Sequence, residues 1–167
     1  YARGPDAFDA DPLLLNTPGG VVDLRTGEVE PHDHHQDLTR CTVVSPVGEC
    51  PSWLAFLDTV TAGNDELALY LQRWAGYCLT GDVSEHAFMF AYGGGGNGKG
   101  VFLNTLRGIW GDFAKVAPME TFTEARGERH PTELAMLRGA RLVIAQETEQ
   151  GRRWAESKLK AITGGDP

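Results

Sequence analysis

Residues 87–100 read AFMFAYGGGGNGKG, an apolar run followed by a glycine-rich loop that contains one lysine. The first six residues are continuously apolar, which is typical of a buried parallel strand. Gly93 is followed after four residues by Gly98 and Lys99, and this is the G-x-x-x-x-G-K spacing of a phosphate-binding loop. Residues 99–110 have the periodicity of a helix. The sequence therefore predicts a strand, a phosphate-binding loop and a helix in succession.

The glycine-rich loop combines three properties that suit a phosphate group. Glycines let backbone N–H groups converge on a phosphate without side chains in the way. The following helix contributes the positive end of its dipole, and Lys99 contributes a mobile charge for the β- and γ-phosphates. A flexible glycine turn is the alternative, but such a turn does not need a lysine at this position. The predicted nucleotide-binding residues are Gly93, Gly94, Gly95, Gly96, Asn97, Gly98, Lys99 and Gly100.

Position 100 departs from the usual pattern of such loops. It holds glycine, where a phosphate-binding loop commonly has a serine or threonine whose hydroxyl binds Mg²⁺. We expect the backbone and Lys99 to bind a nucleotide without that hydroxyl. The affinity for Mg²⁺ is the property that Gly100 leaves open.

A second apolar run, residues 141–146, is followed by two acidic residues, Glu147 and Glu149. An ATPase of this kind uses a carboxylate after a neighbouring strand to hold the metal and orient the attacking water. On a continuing strand both side chains would point the same way, because they are two residues apart. We predict that Glu147 holds Mg²⁺ through a water, with Glu149 as the second choice; a solvated loop is the alternative for both. Together with Lys99 they are the predicted catalytic residues.

The first half of the chain has a different pattern. Residues 1–12 lack periodicity and are interpreted as a linker or extended arm. Residues 19–32 predict a β-hairpin, and residues 41–47 predict a second β-rich run. Two helices follow, the first beginning at Pro51 and the second capped near Asn64.

The predicted fold class is α/β, an incomplete P-loop NTPase core preceded by a small module of a β-hairpin and helices. Residues 1–12 would be the arm and residues 13–82 the accessory module. Residues 83–167 would be the N-terminal part of an ATPase domain that is truncated, because a parallel core of this type needs at least one later strand.

Composition and charge exclude several classes of protein. Of the 167 residues, 41 % are hydrophobic and 23 % are charged, which is globular rather than disordered composition. There is no apolar run long enough for a membrane span and no signal peptide pattern, and three scattered cysteines indicate a reducing cytosol. The net charge of −8 argues against binding of nucleic acid. It divides, however, into −9 over residues 1–82 and +1 over residues 83–167.

Several motifs, taken in order, resemble those of the phage/plasmid primase-helicase family, which joins a primase to a superfamily 3 helicase. An asparagine before the Gly-Lys pair, as at Asn97, is common in that group, and a glycine after the lysine also occurs in it. Three segments resemble successive helicase motifs: residues 88–99, 130–149 and 160–166. Three features of the first half resemble the module that precedes the helicase: residues 23–27, 50–51 and 76–82. The resemblance extends from about Leu14 to the end of the chain.

The resemblance implies an AAA+-like core that hydrolyses ATP with Mg²⁺ and moves along single-stranded DNA. The active form would be a homo-oligomeric ring, a hexamer, with DNA in its central channel. Lys160, together with Lys158, would face the DNA; a solvated helix face is the alternative. The protein would act in phage or plasmid DNA replication in the cytoplasm of a bacterial host.

The same resemblance places a primase part before residue 1, and a sensor residue and an arginine finger after residue 167. We therefore expect residues 1–167 on their own to bind nucleotide weakly and to hydrolyse it poorly. Two alternatives remain open. One is a P-loop kinase or other soluble NTPase with no nucleic-acid partner. The other is an oligomerisation module whose P-loop is degenerate after loss of the hydroxyl at position 100.

Overall fold

The computed structural model describes residues 4, 7–124, 135–146 and 153–164. Within these residues the fold is mixed α/β, with a three-stranded antiparallel sheet in the first half and a two-stranded parallel sheet in the second. Among the helices in these ranges, none combines the length and the apolar character needed to cross a bilayer.

The antiparallel sheet has the strand order β1-β2-β3, formed by β1 (Leu14–Thr17), β2 (Gly20–Asp23) and β3 (Val29–Glu30). The hairpin predicted over residues 19–32 is confirmed as the β2–β3 pair. The sequence did not predict β1, which pairs antiparallel with β2 along its whole length and buries Leu15.

The two predicted helices of the first half are confirmed as α1 (Pro51–Thr61) and α2 (Asp65–Thr80). Proline suits the first turn of α1, where a backbone N–H would have no partner inside the helix. The side chain of Asn64 caps α2 by accepting a hydrogen bond from the N–H of Leu67 at 3.0 Å. Gly81 ends α2 in a left-handed conformation.

The second half contains α3 (Lys99–Trp110), β4 (Ala114–Pro118), β5 (Leu142–Gln146) and α4 (Glu156–Gly164). The helix predicted over residues 99–110 and the strand predicted over 141–146 are confirmed. The sequence did not predict β4, which pairs in parallel with β5 along its full length.

One hydrophobic core connects the two halves. It contains side chains of the antiparallel sheet together with side chains of α3 and of the parallel pair. Its buried members are Leu15, Val22, Phe102, Leu106, Trp110, Phe113, Ala114, Leu142 and Ile144. The accessory module and the second half are therefore packed against each other rather than merely joined in sequence.

The predicted strand at residues 87–92 is wrong for the described chain. The run lies outside both sheets, and the side chains of Phe88, Phe90 and Tyr92 are 53 %, 59 % and 82 % exposed. A buried parallel strand requires hydrogen-bonded neighbours, and the described β4–β5 ladder does not extend to this run. The rings of Phe88 and Phe90 contact Trp154 instead, at centroid distances of 6.2 and 6.3 Å.

The β-rich run predicted over residues 41–47 also forms no strand. The N–H of Thr42 donates to the carbonyl of Asn16 at 3.0 Å, and the N–H of Val43 donates to the carbonyl of Ile109 at 2.9 Å. These bonds go to two different elements, so the segment links β1 to the end of α3 without forming a ladder.

Arg141 connects the two halves through its guanidinium group. One nitrogen donates to the carbonyl of Leu79 at 2.8 Å and the other to the carbonyl of Leu14 at 2.7 Å. The guanidinium carbon lies 4.4 Å from the centre of the Phe113 ring. Burial lowers the pKa of Arg141 to about 10. The side chain thus holds α2, β1 and β5 together.

Asp9 anchors the beginning of the chain to the accessory module. Its carboxylate accepts hydrogen bonds from the backbone N–H and the hydroxyl of Thr39, and from the guanidinium of Arg40 at 2.9 Å. Burial by itself would raise the pKa of Asp9, but the hydrogen bonds from Thr39 and Arg40 outweigh it and hold the pKa below its ordinary value. The segment predicted as an arm is therefore attached at this residue.

Replacing Asp9 with asparagine is expected to lower the free energy of unfolding at pH 7 by about 2 kcal/mol, because hydrogen bonds to a charged group are lost. The depressed pKa means that the ionised carboxylate stabilises the fold above its unfolded-state pKa of about 3.9. That stabilisation is lost as the pH falls through the folded-state pKa. Urea unfolding should therefore show the full difference at pH 7 and a smaller one near pH 3.

The same change at the exposed Asp58 of α1 is the matched control, and it is expected to alter the free energy of unfolding by less than about 0.5 kcal/mol. An Asp9→Asn protein that is as stable as the Asp58→Asn protein at pH 7 would contradict the anchoring role.

Candidate phosphate-binding site

The glycine-rich loop leads directly into α3. Gly98 is the residue that caps the helix, with a left-handed φ of 83°, and Lys99 is the first helical residue. The N–H of Phe102 donates to the carbonyl of Gly98 at 2.9 Å and closes the first turn. The loop thus ends at a helix N-terminus, where free backbone N–H groups favour an anion.

The side chain of Lys99 folds back over the loop. Its ammonium nitrogen lies 2.7 Å from the side-chain oxygen of Asn97, 3.1 Å from the carbonyl oxygen of Gly93 and 3.3 Å from that of Gly94. An ammonium group has three N–H donors, and these three oxygens match that number. The positive charge is therefore held inside the curve of the loop by a half-buried residue.

Two glycines of the loop are required by its geometry. Gly93 has a φ of 147°, and a Cβ there would lie 2.5 Å from the side-chain nitrogen of Asn97. At Gly98 a Cβ would lie 2.4 Å from Cγ1 of Val60 on α1. Real Cβ atoms do not approach other atoms so closely, and both φ values suit glycine. The side chain of Asn97 therefore fills the space beside Gly93, and Val60 of α1 fills the space beside Gly98.

Gly100 is in a different situation. It is the second residue of α3, and a Cβ built on it would meet no atom within 4 Å. A larger residue therefore fits at this position, and glycine is not needed there for steric reasons. The residue after Lys99 offers no side-chain oxygen for a metal.

The predicted acidic residues Glu147 and Glu149 lie outside the described residues. Strand β5 ends at Gln146, immediately before the first of them. Residues 130–134 and 165–166 of the motif segments are also outside the described ranges. The assignment of the metal to Glu147 remains a prediction from the sequence.

The two lysines predicted to bind DNA lie on α4. Residues two positions apart do not share a helix face. Lys160 is exposed, whereas Lys158 is half-buried. Lys160 is therefore the more accessible of the two to a nucleic acid, and its role remains a prediction.

The contact between α1 and the loop is the feature that the sequence did not reveal. The helical spacing of Trp53, Phe56 and Val60 predicts an apolar face, but the pattern does not say what that face covers. In the structure Phe56 and Val60 lie against Gly98, and the Trp53 ring stacks on Phe102 of α3 at 5.6 Å. The accessory module therefore borders the candidate site.

Comparison with known proteins finds a family model that is similar to this bordering region. Residues 1–62 match the family model described as D5 N terminal like. This is the N-terminal region of phage and plasmid primase-helicase proteins, which are enzymes of DNA replication. The match includes all of α1 and ends before the phosphate-binding loop. It confirms the resemblance over residues 1–62, while residues 63–82 and the helicase part of that resemblance are outside the matched residues.

Part of the chain is also similar to a curated mitochondrial protein. Over 53 residues the chain is 34 % identical to the uncharacterized mitochondrial protein ymf21 of Marchantia polymorpha. The aligned stretch is 32 % of this chain and 29 % of that protein, so it covers less than a third of either.

Proposed function

We propose that the chain binds the phosphates of ATP at residues 93–100 and forms part of a superfamily 3 helicase within a primase-helicase. The observation that carries this proposal is the position of Lys99. Lys99 is the first residue of α3, and its ammonium group is held within the loop by three oxygen atoms, including those of Gly93 and Asn97. A simple glycine turn would not need this arrangement.

The chemistry of binding follows from these contacts. The oxygens of a phosphate group can replace the loop oxygens around the Lys99 ammonium, and hydrogen bonds between charged partners are about twice as strong as neutral ones. The backbone N–H groups at the start of α3 supply further donors. Because Gly93 and Gly98 carry no side chain, the backbone of the loop remains free to approach the phosphates.

The further parts of the proposal concern hydrolysis and DNA. In it, Glu147 holds Mg²⁺ through a water and orients the attacking water, with Glu149 second, and Mg²⁺ supplies neutralisation of charge on the phosphates. Lys160, with Lys158 beside it in sequence, faces single-stranded DNA in the channel of a homo-oligomeric ring, a hexamer. The family match of residues 1–62 to primase-helicase proteins supports a role in phage or plasmid replication in a bacterial cytoplasm.

Two measurements test the proposal. Equilibrium binding of a fluorescent ATP derivative to the 167-residue chain, with Mg²⁺ present, is expected to show weak but saturable binding that unlabelled ATP displaces. In the whole protein, hydrolysis of ATP is expected to increase when single-stranded DNA is added. Absence of ATP binding would contradict the nucleotide site. A rate of ATP hydrolysis that does not change when single-stranded DNA is added would favour a soluble NTPase.

Replacing Gly100 with serine is expected to raise the affinity for ATP in Mg²⁺ by about threefold to tenfold, because it adds a metal-binding hydroxyl beside Lys99. The structure leaves room for the side chain. Binding is to be measured with Mg²⁺ and with EDTA. Gly100→Ala is the control: it improves helix propensity without adding an oxygen, and it should not change the dependence on Mg²⁺. Equal effects of the two substitutions would contradict the explanation.

A further inference from the structure

We infer that α1 positions the phosphate-binding loop, with Val60 and Phe56 as positioning residues for Gly98. This inference rests on the proposed nucleotide site and extends it to the accessory module. It assigns a role in nucleotide affinity to a helix that the family match includes and that itself carries no phosphate-binding motif.

Helix α1 approaches the phosphate-binding loop closely at Gly98. The three atoms nearest to a Cβ built on Gly98 all belong to α1: Cγ1 and Cβ of Val60, at 2.4 and 3.3 Å, and Cε2 of Phe56, at 3.3 Å. The outer side of the turn therefore rests on these two side chains. Glycine adopts a φ of 83° without strain but also adopts many other conformations, so packing against neighbouring atoms is what limits Gly98 to this one.

Helix α1 contacts α3 as well as the loop. The rings of Trp53 and Phe56 stack at a centroid distance of 5.1 Å, and Trp53 stacks on Phe102 at 5.6 Å with an interplanar angle of 18°. Phe102 is 7 % exposed, and its N–H bonds to the carbonyl of Gly98. The aromatic stack therefore fixes the first turn of α3 from the same side as Val60 fixes the loop.

The backbone position of Gly98 controls where the phosphate-binding groups lie. Gly98 directly precedes Lys99, so a change in its backbone moves the Lys99 side chain and the N–H groups at the start of α3. Groups that bind a ligand lose affinity when they must be reordered on binding. The side chains of α1 thus set how far the phosphate-binding groups are preorganised.

The test is to replace Val60 with alanine and measure the dissociation constant of a fluorescent ATP derivative in Mg²⁺. Loss of the Cγ atoms frees the Gly98 turn, and the dissociation constant is expected to rise about fivefold. Leu54→Ala is the matched control, because Leu54 lies on α1 and is 59 % exposed; its dissociation constant should stay within about twofold of the wild-type value. Val60→Ile keeps both Cγ atoms and is expected to retain wild-type affinity.

A second background separates positioning from general stability. In a Gly98→Ala protein the new Cβ collides with Cγ1 of Val60, and ATP binding is expected to weaken by at least about tenfold. Adding Val60→Ala removes the colliding atom, so in this background it should strengthen binding by about threefold or more. A substitution that merely destabilised the fold would weaken binding in both backgrounds. If the Val60→Ala chain does not fold, Phe56→Leu tests the same contact in the chain that keeps Gly98, where it is expected to weaken ATP binding.

The outcomes are distinct. If the wild-type chain binds no ATP, both the proposed function and this inference are overturned. If the wild-type chain binds ATP and Val60→Ala binds it equally well, or fails to strengthen binding in the Gly98→Ala background, only the role of α1 is overturned. Opposite effects of Val60→Ala in the two backgrounds establish the coupling.

Discussion

Replacing Arg141 with alanine is expected to lower the free energy of unfolding by about 3 kcal/mol or more, since two hydrogen bonds from a charged group, each contributing about 1.5–3 kcal/mol, are lost. The carbonyls of Leu14 and Leu79 would keep their partly buried positions without these donors. Contact with the Phe113 ring would also be lost. Chemical unfolding monitored by circular dichroism measures the change.

Two control variants isolate the cause. Arg73 lies on α2 and is exposed, and its replacement by alanine should change the free energy of unfolding by less than about 0.5 kcal/mol. Arg141→Lys keeps the positive charge but cannot direct two planar N–H groups at both carbonyls, so an intermediate loss is expected. If Arg141→Ala unfolds with the same free energy as Arg73→Ala, this side chain does not hold the halves together.

Replacing Lys99 with alanine is expected to raise the dissociation constant for ATP by at least about tenfold, because the one mobile cation of the loop is removed. The side chain bonds only to exposed oxygens of its own loop among its described contacts. The melting temperature is therefore expected to change little. Equilibrium binding with a fluorescent ATP derivative, accompanied by thermal unfolding, separates the two effects.

Lys115 on β4 provides the control for charge alone. It is exposed, and its replacement by alanine removes the same charge from another place in the second half. We expect its dissociation constant to remain within about twofold of the wild-type value. Equal affinities for Lys99→Ala and wild type would mean that the loop does not bind phosphate through this lysine.

Elements with strong local signals could be predicted from the sequence. The starts of α1 and α2 follow from Pro51 and from the cap at Asn64, and the run of residues 142–146 was apolar enough to indicate a strand. Such signals lie within a few residues of the element they define. At these three elements prediction and structure agree.

The strands that were missed or wrongly predicted lack such signals. Strand β4 contains Lys115 and Pro118 and depends on pairing with β5. Residues 87–92 have the composition of a buried strand but no hydrogen-bonded neighbour among the described strands. Strand formation depends on partners that are remote in sequence, so composition alone could not decide either case.

The candidate site divides in the same way. The predicted loop and the role proposed for Lys99 follow from a spacing within eight residues. The contact of Val60 with Gly98 depends on how α1 and α3 pack, and no local pattern encodes it. A sequence thus identifies the groups that bind a phosphate more readily than those that hold them in place.

The bond between Arg141 and the carbonyl of Leu14 joins residues 127 positions apart. Because a ribosome releases a chain from its N-terminus, β1 emerges long before the arginine that closes over it. The stretch that matches the primase-helicase region ends at residue 62, whereas Phe102 and Arg141, which contact it, are synthesised later. Until Phe102 has been synthesised, Trp53 lacks the α3 ring that stacks on it in the fold, and exposed apolar surface of this kind makes nascent chains prone to aggregation or capture by chaperones.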